Sequence, residues 1–206
     1  RQAKEEGQSA HEFLTARAAK LRAGESGLIA LDWWNGNRSI LVDAHLTGLI
    51  LGMTLRTKPE EIYRALMEAT AFGTRTIVEA FEQAGVPVRS VFACGGIAHK
   101  NPLMLQIYAD VLGREIRVAR TRQAGALGSA MFGAVAAGAA RGGYDTIAQA
   151  ASAMGGLLDA VYRPNPRDAA IYQKLYALYA ALHDQFGRDA HSPMRALRDI
   201  QSESLG

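Results

Sequence analysis

The residues best suited to chemistry lie in one stretch, Ser90 to Leu112, which reads SVFACGGIAHKNPLMLQIYADVL. Gly95 and Gly96 end an apolar run, Val91-Phe92-Ala93-Cys94, that has the pattern of a strand covered on both faces in a parallel sheet. Lacking Cβ atoms, paired glycines let the main chain turn sharply and let a flat or anionic ligand approach it closely. After a five-residue turn, Asn101 is a good N-cap and Pro102 suits the first helical position. A helix should therefore begin there, with free N–H groups and the positive end of its dipole beside the glycines. A phosphate or a polar ring edge could bind at such a corner. The same spacing serves a plain strand-to-helix turn equally well, because a strand, two glycines and a helix are a far weaker signal than a full phosphate-loop motif.

No second constellation competes with this one. The histidines at positions 11, 45, 99, 183 and 191 are isolated, metal-ligand spacings are absent, and no Ser-His-Asp grouping can be drawn. No residue is therefore assigned as catalytic or metal-binding. Asp32, Asp43 and His45 lie in loop-like sequence around Trp33-Trp34-Asn35-Gly36-Asn37, a turn with two large aromatics at its root. Tryptophans in such a place pin a loop to a core more often than they contact a ligand.

The elements that must position the corner follow from pattern. Ser9 to Arg22 places Phe13, Leu14, Ala18 and Leu21 on one helical face, and Gly24 stops it. Gly27 to Leu31 is a short strand. Thr57 as N-cap and Glu60 three residues on open a long helix whose apolar positions keep helical period up to Gly85. Gly73 in its middle costs about 1 kcal/mol relative to alanine and marks a close contact with a neighbouring element. Glu115 to Ala119 is a second strand, and a strand-helix-strand unit this compact implies a parallel pair with a right-handed crossover. Ala124 to Ala140 is too short and too rich in Ala and Gly to span a membrane, so it reads as a helix buried among other elements. A short helix follows over Thr146 to Met154. Val161 to Arg167 reads as an extended connector, and a last helix over Arg167 to Phe186 carries Ile171, Leu175, Leu178, Tyr179 and Leu182 on one face. From Gly187 on there is no strong pattern.

Composition bounds the function classes. With 206 residues and 49% hydrophobic content the chain can bury a sizeable core, as one domain or two small ones. The net charge of +3 is spread along the chain without a basic block, which argues against non-specific nucleic-acid binding. One cysteine, placed by pattern inside a strand, excludes an internal disulfide and fits a reducing compartment, so a cytoplasmic location is the expectation. The first 24 residues are charged and helical in pattern, unlike a signal peptide. The chain starts without an initiator Met and is expected to be a piece of something longer.

Several stretches, in order, resemble the carboxy-terminal domain of the FGGY family of carbohydrate kinases. Gly48-Leu49-Ile50-Leu51-Gly52, with Glu61-Ile62 and Ala65 to Glu68, is similar to the family's second signature, although Leu66 stands where smaller or branched residues are usual. The Ala93 to Pro102 corner, followed by Tyr108-Ala109-Asp110-Val111-Leu112-Gly113, resembles its adenine-binding segment. Ala126-Leu127-Gly128-Ser129-Ala130 resembles its late Ala-Leu-Gly-Ala-Ala helix. Leu31 to Arg38 and Glu68 to Arg75 add to the likeness, which runs from about Glu25 to Gly187.

The resemblance implies an α/β fold: an actin-like ATPase (ribonuclease-H-like) domain, the carboxy-terminal half of a sugar kinase, truncated at its amino-terminal strands. Residues 1–24 would be an amino-terminal helix of that domain, 25–187 its ATP-binding part and 188–206 a flexible tail. Gly95, Gly96 and Ile97 would lie along the adenosine, with Lys100 and Asn101 at the adenine edge; Lys100 stands where a small amide or hydroxyl residue is common. The implied cofactors are ATP and Mg2+. The implied partners are ATP and a sugar held mainly by an amino-terminal domain outside this chain, with no nucleic acid, no membrane and room for a homo-oligomer. In the family that domain also supplies the aspartate that takes the substrate's proton, and a Gly-Thr-Ser-type hairpin for the terminal phosphates precedes the part seen here. A non-catalytic actin-like nucleotide-binding module is the reading from another class.

Overall fold

The computed structural model describes residues 2–206. The chain forms two compact units, one from the residues up to Val88 with Asp110–Gly113 and Pro164–Gly206, the other from Arg89–Ala109 with Arg114–Arg163.

The first unit is built on a long helix. After α1 (Gln2–Glu5), α2 (Ala10–Ala18) starts with a reciprocal cap in which Ser9 Oγ accepts from the Glu12 N–H and Glu12 accepts from the Ser9 N–H. Strands β1 (Ile29–Leu31) and β2 (Leu49–Leu51) pair antiparallel, with Ala30 opposite Ile50. Helix α3 (Pro59–Gln83) runs 25 residues and packs on α2, β1 and α8 (Pro166–Gly187). Its N-cap is Lys58, one residue later than the pattern placed it, because the Glu61 carboxylate reaches back to the Lys58 N–H at 2.7 Å while Thr57 is engaged by the Thr54 N–H. Gly73 does mark a close contact: a Cβ there would lie 3.3 Å from Asp32 Oδ1 and 3.5 Å from the Tyr179 hydroxyl.

The buried face of α8 differs from the expected one. Tyr172, Tyr176, Tyr179 and His183 point inward, and Leu178 is exposed. The reason is polar as much as apolar, since each tyrosine finds a carboxylate inside and so can bury both ring and hydroxyl. Tyr172 donates to Glu68 at 2.8 Å, Tyr176 donates to Glu79 at 2.7 Å, and Tyr179 shares a hydrogen bond with Asp32. Phe72 of α3 lies against all three rings at centroid distances of 5.4–6.1 Å. Burial raises the Tyr176 hydroxyl to about 12 and pushes the Asp32 carboxyl up.

Deepest of these contacts is the Arg64–Glu68–Tyr172 cluster. Arg64 Nε donates to Glu68 Oε1 at 2.9 Å, its other nitrogens reach the carbonyls of Ala18 and Leu21 and the Tyr172 oxygen, and all three side chains are buried. Burial pushes the Glu68 carboxyl up, against the pull of the Arg64 charge and the two donors.

The tryptophans part company. Trp33 is 2% exposed and meets the His183 ring edge-on at 5.4 Å, whereas Trp34 is 58% exposed and lays its ring on Gly48. Beyond Gly187, where pattern gave no element, α9 (Pro193–Leu205) forms, and Met194 is buried. Arg195 holds that segment in place by pairing with Asp43 at 2.6 Å and donating to the carbonyls of Gly187 and Asp189.

In the second unit β3 (Val91–Ala93) pairs parallel with β4 (Ile116–Ala119), Val91 opposite Ile116, joined through α4 (Gly95–Lys100) and α5 (Pro102–Leu112). The sheet is thus partly parallel, as the compact strand-helix-strand spacing requires. A third strand, β5 (Leu157–Tyr162), pairs antiparallel to β4 where a connector was expected. Strand β3 is an edge strand, with Phe92 56% exposed, so the apolar run is not covered on both faces, and Cys94 is exposed rather than in the core. Helix α6 (Ala124–Ala137) has no buried residue; Phe132 is 67% exposed, and Cβ atoms added at Gly125, Gly128 and Gly133 would meet nothing within 4 Å. It is a surface helix here, packed on a short 3-10 turn (Ala139–Arg141) and on α7 (Ile147–Met154), which Thr146 and Gln149 cap reciprocally. Among the described residues no helix is long and apolar enough to cross a membrane.

Candidate functional site

Strand β3 delivers the chain to Cys94 in extended conformation, and Gly95 then takes φ of +83°, a conformation that side chains rarely adopt. The turn expected after the glycines is helical: α4 starts at Gly95 and ends at Lys100. Ala98 is its buried contact with the unit, and His99 Nε2 donates to the Thr121 carbonyl at 3.2 Å, fastening the helix to the loop that follows β4. Neither contact could be read from sequence; an isolated histidine gives no sign of which carbonyl it will meet.

Gly95, Gly96, Ile97 and Lys100 therefore share one short helix, and Asn101 follows directly. Gly96, Ile97 and Lys100 are exposed, Ile97 at 64%, while Gly95 and Asn101 are half-buried. Asn101 Oδ1 accepts from the Met104 N–H at 3.1 Å, so this side chain caps α5 as expected. The start of α5 does not adjoin the glycines along the chain, however, because the rest of α4 from Ile97 to Lys100, about 6 Å of helix at 1.5 Å per residue, and Asn101 stand between them.

What the corner offers is bare main chain. Gly96 does not have the positive φ that would require glycine, and a Cβ built on it meets nothing within 4 Å. The fold of this chain thus gives no reason for glycine at position 96; a flat group lying on the backbone would. The electrostatics suit an anion: the unit that carries the corner has eight Lys and Arg against three Asp and Glu. Among the described residues no group of three His, Cys, Asp or Glu is placed to hold a metal ion.

Residues 1–137 match the description "FGGY family of carbohydrate kinases, C-terminal domain". The chain belongs to this family. A ribulokinase of Halalkalibacterium halodurans is 57% identical over 201 residues, covering 98% of this chain and 36% of the relative. A ribulokinase of Anoxybacillus flavithermus is 57% identical over 196 residues, covering 95% of this chain and 35% of that protein. Among solved structures, the xylulose kinase from Rhodospirillum rubrum superimposes with a TM-score of 0.72 at 30% identity, over 88% of this chain and 35% of that one. The chain has the fold of the FGGY sugar kinases, the actin-like α/β architecture, and spans about a third of the length of the curated relatives it matches.

Proposed function

We propose that this chain is the nucleotide-holding part of an ATP-dependent sugar kinase that converts L-ribulose and ATP to L-ribulose 5-phosphate and ADP, a cytoplasmic step of arabinose catabolism. Identity of 57% to ribulokinases along nearly the whole chain supports the sugar, against 30% to a xylulose kinase, which makes xylulose the second reading. The observation that carries the nucleotide role is the open main chain at Gly96, a glycine that nothing inside the protein requires.

In this reading Gly95, Gly96 and Ile97 lie along the adenosine, Lys100 and Asn101 stand at the adenine edge, and the surplus of basic residues attracts the phosphates. Bound nucleotide supplies the phosphoryl group. This chain's residues bind and orient the purine end of it. Among the described residues no group of three His, Cys, Asp or Glu is placed to hold a metal ion, so Mg2+ would be held chiefly by the phosphates of the bound nucleotide.

Titrating ATP and ADP by calorimetry into the chain and into a Gly96→Val variant tests the corner. Valine at 96 projects into open space and should leave the circular dichroism unchanged, while binding should weaken at least about tenfold, or 1.4 kcal/mol. Equal affinities would remove the corner from the nucleotide site.

A further inference from the structure

A pocket of about 250 Å³ lies between α3 and α8 in the first unit, apart from the glycine corner. Buried Tyr176 and His183 form its deep part, Ala80 and Ala180 keep it open, and exposed Gln83, Asp184 and Arg188 form its rim. Its volume corresponds to about eight waters at roughly 30 Å³ each, room for a ligand of about ten non-hydrogen atoms. Ile40 lines it from the loop after β1, with φ of +79°. For a β-branched residue that conformation is strained and persists only where the surroundings impose it, as ligand clamps often do.

Its charges come in matched pairs. Glu79 accepts from Arg75 Nε at 2.8 Å and from the Tyr176 hydroxyl at 2.7 Å; Arg75 in turn stacks on the Tyr176 ring at 4.0 Å. Asp184 accepts from Arg188 Nε at 2.8 Å and from His183 Nδ1 at 3.1 Å. Each carboxylate is thus oriented and neutralised, yet keeps lone pairs for a further donor. The Gln83 amide makes no hydrogen bond among the described residues and offers both a donor and an acceptor, and Arg188 offers its terminal nitrogens. Two carboxylates disfavour a phosphate, and two guanidiniums already satisfying them disfavour a cation. What remains is a ligand that donates and accepts through several neutral hydroxyls while resting its carbon skeleton on a tyrosine ring and two alanine methyls.

We propose that the pocket between α3 and α8 binds a neutral, sugar-sized polyol at a site separate from the nucleotide corner. The site does not depend on the assignment of the corner to ATP.

Nitrogen and methyl correlation spectra of the 206-residue chain, titrated with ribitol, test this. Saturable shifts are expected at Thr76, Ala80 and Ala180, with a dissociation constant on the order of a millimolar. Gln83→Leu, an exposed change without structural cost, should weaken binding about tenfold, and Ala180→Trp should abolish it by filling the space. Ribitol 5-phosphate should bind at least about tenfold more weakly than ribitol. The proposal is overturned by the absence of saturable shifts up to about 50 mM ribitol, by unchanged binding in Gln83→Leu, or by a preference for ribitol 5-phosphate or for putrescine over ribitol.

Discussion

Glu68→Ala is expected to destabilise the protein by about 3–5 kcal/mol, the cost of leaving a buried charge without its partner. Arg64 would remain inside, tied to the carbonyls of Ala18 and Leu21, with its Nε pointing at a void and the Tyr172 hydroxyl beside it also left without an acceptor. Against a total stability of about 5–15 kcal/mol for a domain, this brings the fold close to its limit. Denaturant unfolding followed by circular dichroism measures it. Tyr172→Phe, which removes only one hydroxyl from the cluster, should cost about 1–3 kcal/mol and so separate the charge effect from the hydrogen bond. A loss below about 1 kcal/mol in Glu68→Ala would mean that Arg64 escapes to water and that the cluster is not the anchor of α8.

Supplied with L-ribulose and Mg-ATP, the 206-residue chain is expected to release ADP no faster than background, about 10⁶-fold or more below an intact kinase. Phosphoryl transfer needs a held nucleotide, an oriented hydroxyl and charge stabilisation on the moving phosphoryl group at once. In the function proposed above, the corner at Gly95–Asn101 offers the first. The buried acids are committed elsewhere, Glu68 to Arg64 and Tyr172 and Asp110 to the Asn165 N–H, and half-buried Asp32 is committed to Tyr179. A coupled ADP-release assay decides the matter. Sugar-dependent turnover would place the proton acceptor inside this chain.

Much of the fold could be read from pattern where one element makes its own case. Helix α3 has a long apolar repeat and a capping acid, and β3, β4 and their crossover follow from two short apolar runs and the residues between them. Errors arose where a face depends on what lies opposite. The three leucines of α8 obey the apolar rule, yet Leu178 is exposed and none is fully buried, because acids from α3 and the loop after β1 stand ready to accept the hydroxyls of the tyrosines that turn inward. Helix α6 is apolar all round and reads as buried, yet composition does not say what covers it; here α7 and a short 3-10 turn pack on one side of it and leave no residue fully buried. Strand β5 carries Asp159 and lies on an edge with one neighbour, so it shows neither clean alternation nor an apolar run. At the corner, the glycines and the Asn101 cap were legible from residue type alone. That α4 would fill the turn was not, since its anchoring depends on Ala98 burial and on a carbonyl 22 residues away.

The tyrosines of α8 carry a lesson for anyone cutting this protein into pieces. The family match ends at residue 137, a tempting place to stop a shortened version. Such a version would retain the acceptors Asp32, Glu68 and Glu79 and the ring of Phe72, and would discard every hydroxyl and ring that α8 lays against them. Its long helix would face water with buried acids and an aromatic laid bare. For the first unit, the boundary that sequence families draw falls in the middle of the core, and the polypeptide folds as a body only when its last third returns to close it.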